Sequence, residues 1–332
     1  MSIALNNYLK PLVPFLKKPG VSEICVNTPG VVWVEEKGHF TRHDVPELTE
    51  NRLIQLAHLI AEDNNKDLSE TKPLLSASLT DGERCQFVLP PACEKGHIVC
   101  AIRKPSVLNL DLNGWETLGA FNTIKHGSEK RKKTDEAIKQ CYQEGRWKAL
   151  IALAIEAKYN IIISGGTSTA KTSFLNACLK SIPNKERVIT IEGVREVQLN
   201  LPNKVHLLAN EDEESPLNAT ILDLLKVCLR LRPDRIFVSE LRGKEAYPFL
   251  RACISGHPGS LTTLHADSID NALEQLSFML SEAPELQHAD DDKLRRIIRS
   301  SVQMIIQMTR TEEGDRVVED IALLGANDAF CK

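Results

Sequence analysis

The sequence has no long apolar run. Its longest, Ala149 to Ile155, falls far short of the roughly 20 residues that a helix needs to cross a bilayer. The start, MSIALNNYLKPLVPFLKK, lacks a basic segment ahead of a continuous apolar stretch and has no small-residue cleavage site. It does not read as a secretory signal, and the cytoplasm is the expected compartment. No C-x-x-C pair occurs among the nine cysteines, an odd number that argues against both a disulfide framework and a zinc site. Cys25, Cys85, Cys93, Cys100, Cys141, Cys178, Cys228, Cys253 and Cys331 are expected to act as buried small hydrophobes. Neither sign of charge dominates: 41 Lys and Arg face 45 Asp and Glu, a net charge of -4, so the bulk field draws neither nucleic acid nor anionic lipid. Aromatics, at 5%, offer few platforms for stacking bases, which weighs against a nucleic-acid-binding function. What is there, 332 residues of which 42% are hydrophobic and 26% charged, describes an ordinary folded protein of two domains or one large one.

Two short strands, Ser22 to Val26 and Val31 to Glu35, flank the turn signal Thr28-Pro29-Gly30 and predict a hairpin. Leu48, Leu53, Leu56, Ala57 and Ile60 fall at helical spacing, with Asn64-Asn65 as a stop. Leu74 to Leu79, Glu83 to Leu89 and His97 to Ile102 read as further strands, the first two joined by Asp81-Gly82. Residues 1–105 therefore predict a small α+β domain. Residues 106–146 carry weaker periodicity, Asn113-Gly114, Gly127-Ser128 and the run Lys130, Arg131, Lys132, Lys133, and are expected to form a linker with a solvated basic cluster. From 147 to 332 the β-branched runs Asn160 to Ser164, Val188 to Ile191, Ile236 to Ser239, Leu261 to Leu264 and Val302 to Met308 alternate with helical stretches, which predicts an α/β sheet covered on both faces. One helix is expected to start at Ser215 as cap and Pro216 in the first turn, with Ile221, Leu224, Leu225, Cys228 and Leu231 as its buried stripe.

The strand Asn160 to Ser164 runs into Gly165, Gly166, Thr167, Ser168, Thr169, Ala170, Lys171, Thr172 and Ser173, then a helix. A loop that cradles phosphate needs small residues so that main-chain amides turn inward, a helix N-terminus, a lysine for the β and γ phosphates and a hydroxyl for Mg²⁺. All are present except the last glycine of G-x-x-x-x-G-K-[ST], replaced by Ala170. Its methyl either intrudes on the loop or costs only about 1 kcal/mol if the backbone there is near helical. Carboxylates are expected where neighbouring strands end. Glu240 follows one strand and Glu192 another, and either can orient a water or hold a metal. His265 closes Gly256 to Leu264, placed to bond a γ phosphate or a catalytic carboxylate. Arg230, Arg232, Arg235 and Arg242 flank the Glu240 strand, some as ion-pair residues and some as groups that stabilise transferring phosphate across a subunit boundary.

In order, GGTSTAKTS at Gly165, ITIEGVRE at Ile189, LRLRPDRIFVSELRGKEA at Leu229 and SGHPGSLTTLHADS at Ser255 resemble the VirB-type traffic ATPases of type IV secretion systems. These sit in the superfamily that also holds type II secretion and type IV pilus motors. SEICVN at Ser22, VVWVEE at Val31, DGERCQF at Asp81 and AIRKPS at Ala101 extend the resemblance to that family's N-terminal domain. The resemblance implies a P-loop, RecA-like ATPase domain behind a smaller α+β domain, with ATP and Mg²⁺ as cofactors. It matches Lys171 and Thr172 to the Walker A lysine and Mg²⁺ hydroxyl, Glu192 to the acidic Asp-box position, Glu240 to the Walker B carboxylate and His265 to the His-box histidine. Arg84 and Arg103 match basic N-terminal positions that face nucleotide. It further implies a homohexamer at the cytoplasmic face of the inner membrane, working with other secretion components to power pilus assembly and export of protein or DNA, without direct sequence-specific binding of nucleic acid. The sequence departs from the family pattern at Ala170 and at Gly193, where an acidic residue is usual. These departures leave room for a nucleotide-binding ring with weak hydrolysis, and a pilus or type II motor is the alternative within the enzyme class.

Overall fold

The computed structural model describes residues 3–105, 110–124, 126–210, 217 and 219–325. The first part contains α1 (Ile3–Leu9), α2 (Val13–Lys17), β1 (Val21–Val26), β2 (Val31–Glu36), β3 (His39–Asp44), α3 (Glu50–Asp63), β4 (Leu74–Ser78), β5 (Arg84–Val88) and β6 (Val99–Arg103). Gly30, at a φ of 79° that suits glycine, closes the expected β1–β2 hairpin. The Thr49 hydroxyl caps α3 by accepting the Arg52 N–H at 3.3 Å, and Leu53, Leu56, Ala57 and Ile60 form its buried stripe. The sheet is antiparallel throughout, in the order β3-β2-β1-β6-β5-β4. One face packs Ile24, Val34, Phe87 and Ile102 beneath α1 and α3. The other places Cys25, Trp33, Val88 and Val99 in one apolar cluster with Ile189, Ile191, Val205 and Leu207 of the second domain.

Segment 106–146, expected as a linker, carries α4 (Leu112–Thr117) and α5 (His126–Gln143). Lys130 to Lys133 are exposed on α5, whereas its Ile138 and Cys141 are buried in the core of the second domain with Leu150 and Ile161. There follow α6 (Trp147–Glu156), β7 (Ile161–Gly165), α7 (Lys171–Leu179), β8 (Val188–Glu192), β9 (Lys204–Leu208), α8 (Ile221–Cys228), β10 (Arg235–Val238), α9 (Ala246–Ile254), β11 (Leu261–Leu264), α10 (Ile269–Ser281), α11 (Asp291–Ser301), β12 (Met304–Arg310) and β13 (Arg316–Leu323). The sheet runs β13-β12-β7-β11-β10-β8-β9, parallel except for the edge pair β12–β13. Its β-branched central strands are buried on both faces, Ile162, Ile189 and Ile236 against one apolar cluster and Ile161, Ile163 and Val188 against another. The α/β reading is borne out.

Helix α8 begins later than expected. Its cap is Thr220, in a capping box with Asp223, and Ser215 and Pro216 lie outside the described residues. Cys331 also lies outside them. No described helix is long and apolar enough to cross a membrane.

Polar groups also join the domains. Arg187, fully buried, donates through Nη1 to the Oδ1 atoms of Asn27 and Asn203, both at 2.6 Å. Arg232 pairs with Glu35, and Leu207 of edge strand β9 forms a β-bridge with Cys93 of the first domain.

Candidate functional site

The parallel strands β7, β8, β10 and β11 all present their carboxyl ends on one rim of the sheet, where open α/β sheets hold ligands. β7 feeds the glycine-rich loop. A Cβ on Gly165 would stand 2.5 Å from Thr169 Oγ1 and 2.6 Å from the Met308 carbonyl oxygen, so glycine is required there. The Thr169 hydroxyl donates to the Gly166 carbonyl at 2.9 Å and ties the loop across its own neck. Ser168 and Ala170 hold φ of 62° and 66°, so the loop reaches α7 through left-handed turns. This resolves the question posed by Ala170. Its ψ of 31° completes a left-handed conformation, the one a glycine would take, and the methyl is accommodated at a cost in backbone strain.

Lys171, first residue of α7, donates from Nζ to the carbonyls of Gly165 at 2.8 Å and Gly166 at 2.9 Å. Burial lowers its pKa, an effect that the Glu240 carboxylate opposes. Nζ also stands 3.4 Å from His265 Nδ1, and His265 Nε2 stands 2.8 Å from Glu240 Oε1. A lysine can only donate, so the consistent arrangement is Nδ1 accepting from Lys171 and Nε2–H donating to Glu240. Glu240 Oε2 in turn accepts from Arg242 Nε at 2.6 Å. Lys171, His265, Glu240 and Arg242 therefore form one polar row along a cavity of about 400 Å³. Residues 167–173, Gly193, Val194, Glu196, Ser239 and Thr263 complete its lining.

Not every expected residue is here. Glu192 ends β8, fully buried, and does not line the cavity. Its Oε2 accepts the backbone N–H groups of Glu196 at 2.8 Å and Val197 at 2.6 Å, while Oε1 accepts the Thr190 hydroxyl at 2.7 Å. Burial alone would raise its pKa. Hydrogen bonds from His206, the Val197 amide, Thr190 and the Glu196 amide outweigh that and hold the carboxyl below its ordinary range. It is a buried anchor, and the acid that reaches the cavity from this loop is Glu196, which closes the segment ITIEGVRE. A second carboxylate four residues beyond Glu192, in the loop that follows β8, was the available signal. Arg84 and Arg103 are exposed, face each other in register on β5 and β6, and do not line the cavity. Of the arginines around β10, Arg230 bonds Ser76, Arg232 pairs with Glu35 and Asp234, and Arg235 is buried against Glu186. Arg242 is the member of that group at the cavity.

The family described as type II/IV secretion system protein matches residues 124–320. The chain belongs to this family. It is 36% identical over 321 residues to the type IV secretion system protein PtlH of Bordetella pertussis, covering 92% of this chain and 91% of that one. It is 35% identical over 310 residues to the type IV secretion system protein VirB11 of Brucella suis, covering 92% and 85%. The crystal structure of the Brucella suis VirB11 ATPase in complex with sulphate superimposes with a TM-score of 0.89 at 33% identity, over 96% of this chain and 94% of that chain. The resemblance of the ordered motifs to secretion ATPases is thereby borne out over both domains.

Proposed function

We propose that this secretion-family protein hydrolyses ATP, as a homohexamer at the cytoplasmic face of the inner membrane, to power pilus assembly and export of protein or DNA by a type IV secretion system. One observation carries the reading. A strand, a glycine-rich loop and a helix N-terminus aim Lys171 and Thr172 into the same cavity that Glu240, His265 and Glu196 line.

Lys171 is a preorganised cation whose carbonyl partners are exchangeable for the β and γ phosphates, and the amides at the start of α7 add positive partial charge. The Thr172 hydroxyl and the Glu240 carboxylate are hard oxygen donors on one cavity, the chemistry that suits Mg²⁺. When bound there, the ion neutralises charge on the β and γ oxygens. Glu196 and Glu240 are the carboxylates available to orient the attacking water. His265, bonded to both Lys171 and Glu240, links the phosphate-binding lysine to that carboxylate and would register loss of the γ phosphate. Arg242 is placed to stabilise charge on the transferring group. Arg84 and Arg103, remote from their own chain's cavity, would face nucleotide held by a neighbouring subunit. The N-terminal domain of residues 1–105 would then move against the ATPase domain of residues 147–332 across segment 106–146.

The reading with weak turnover rests on Ala170, yet that residue adopts the conformation of the usual glycine and leaves the loop in shape. Phosphate release measured together with particle mass tests the proposal. Turnover by a hexamer, reduced at least about 100-fold by Lys171→Ala, is expected. A monomeric species without turnover would defeat it.

A further inference from the structure

The buried anchor beneath the cavity belongs to a longer chain of hydrogen bonds that ends in the other domain. Arg195 Nη2 stands 2.7 Å from His206 Nε2. Arginine can only donate, so Nε2 accepts and the ring proton sits on Nδ1. Nδ1 is 2.7 Å from the Thr190 hydroxyl, which donates its own proton to Glu192 Oε1. Every step then has a defined direction: Arg195 to His206, His206 to Thr190, Thr190 to Glu192; beside this relay Arg195 Nη1 donates directly to Glu192 Oε1 at 3.4 Å, and His206 Nδ1 stands 3.5 Å from the same oxygen. From Glu192 the other carboxylate oxygen holds the amides of Glu196 and Val197, and so sets where the Glu196 side chain enters the cavity. At the far end, Arg195 Nε donates to Glu94 Oε1 at 3.0 Å. Glu94 directly follows Cys93, the residue bridged to Leu207 on β9, and the Leu208 N–H donates to the Ala92 carbonyl at 2.8 Å. The first domain thus continues the nucleotide-binding sheet at its β9 edge and hangs Glu94 over the loop that follows β8.

We infer that Glu94 and Arg195 form an interdomain latch: they are positioning residues through which docking of the N-terminal domain on β9 holds Glu196 in its working place. The inference rests on the ATPase reading above and adds a route by which the two domains communicate. When the first domain lifts from β9, Glu94 leaves Arg195, the guanidinium is no longer held in line with His206 and Glu192, and the amides of Glu196 and Val197 lose part of their support. Opening of the domains slows the chemistry without emptying the phosphate loop, because Lys171 is held by Gly165, Gly166 and His265 and by none of these residues.

Glu94→Gln, Arg195→Gln and the double variant test this in the full-length protein. Both side chains are about one-third exposed (33% and 32%), so the substitutions leave the core intact, which unchanged thermal unfolding verifies. The latch predicts that each single variant lowers kcat by about tenfold while the Kd for ATP moves less than about twofold, and that the double variant falls no further than the worse single. Hydrogen exchange at the amides of Glu196 and Val197 should accelerate about tenfold in Glu94→Gln. Exchange does not need turnover and reads the latch separately from catalysis. Equal exchange in Glu94→Gln and the parent chain overturns the latch, as do losses that multiply in the double variant or a change in Kd alone. If the parent chain and Lys171→Ala have equal activity, the ATPase reading is what has failed.

Discussion

Replacing Ala170 by glycine isolates the strain stored in the phosphate loop. At φ 66° and ψ 31° the residue sits in the left-handed region, which costs an L-residue about 1–2 kcal/mol. Glycine removes that penalty and forfeits about 0.5–1 kcal/mol in chain entropy, leaving a net gain of about 0.5–1 kcal/mol. In a domain of this size each kcal/mol moves Tm by about 2–4 °C, so the ATPase-domain transition of Ala170→Gly should rise by about 1–4 °C. Ser168→Gly, at φ 62° with an exposed side chain, should behave alike. Thr169→Ala should do the opposite, since it removes the hydroxyl bonded to Gly166. Differential scanning calorimetry of the three variants against the parent chain measures this. Because Ala170 already holds the left-handed conformation that glycine adopts freely, the Kd for ATP and kcat in Ala170→Gly should each stay within about threefold of the parent. A fall in Tm would mean that the methyl stabilises by packing more than the backbone loses, the opposite of a strained loop. A rise in turnover well beyond threefold would instead support a ring crippled by its alanine.

Three other perturbations have defined signs. Glu23 is buried, and burial raises its pKa from 4.5 to about 7, with Arg103 opposing, Glu35 adding, and Arg187 and Arg232 opposing. The folded form therefore binds its proton more tightly than the unfolded chain. The stability this contributes is fully present below pH 4.5, declines as pH rises to about 7 and is gone above. The swing is about 3 kcal/mol, and Glu23→Gln should abolish it; urea unfolding at about pH 5 and pH 8 that gives the same difference in both proteins would contradict this. Glu196→Gln should lower kcat by about 100-fold with Kd preserved, whereas Glu192→Gln should destabilise the ATPase domain by about 1–3 kcal/mol by leaving a buried backbone N–H short of an acceptor. Single-turnover kinetics and thermal unfolding separate the two, and a normal kcat in Glu196→Gln would remove that residue from the reaction.

The parts of the site that were legible in the sequence are local. Gly165, Lys171 and Thr172 declare their geometry within one strand, one turn and one helix start, and His265 follows directly on β11 while Glu240 stands two residues beyond the end of β10. The N-terminal hairpin and α3 were readable for the same reason, through Thr28-Pro29-Gly30 and the Leu53, Leu56, Ile60 stripe. Of the edge strands β4 was readable, whereas β3, β9 and β13 were not. β3 is polar with only Phe40 and His43 partly buried, and β13 is exposed up to Asp320. Glu192 was misplaced because its burial depends on Thr190, on His206 from β9 and on amides of the following loop, none visible as a motif. The start of α8 could have been found: Asp223 stands three residues beyond Thr220, which is the spacing of a capping box.

Nucleotide binding and hydrolysis through Lys171 are tested by a calorimetric titration of Mg·ATP analogue into the purified protein and into Lys171→Ala, followed by phosphate release with ATP itself. A heat of association and turnover are expected in the parent chain, with both lost in the variant. No association in the parent chain, or turnover that survives without the Lys171 ammonium, would contradict the ATPase reading.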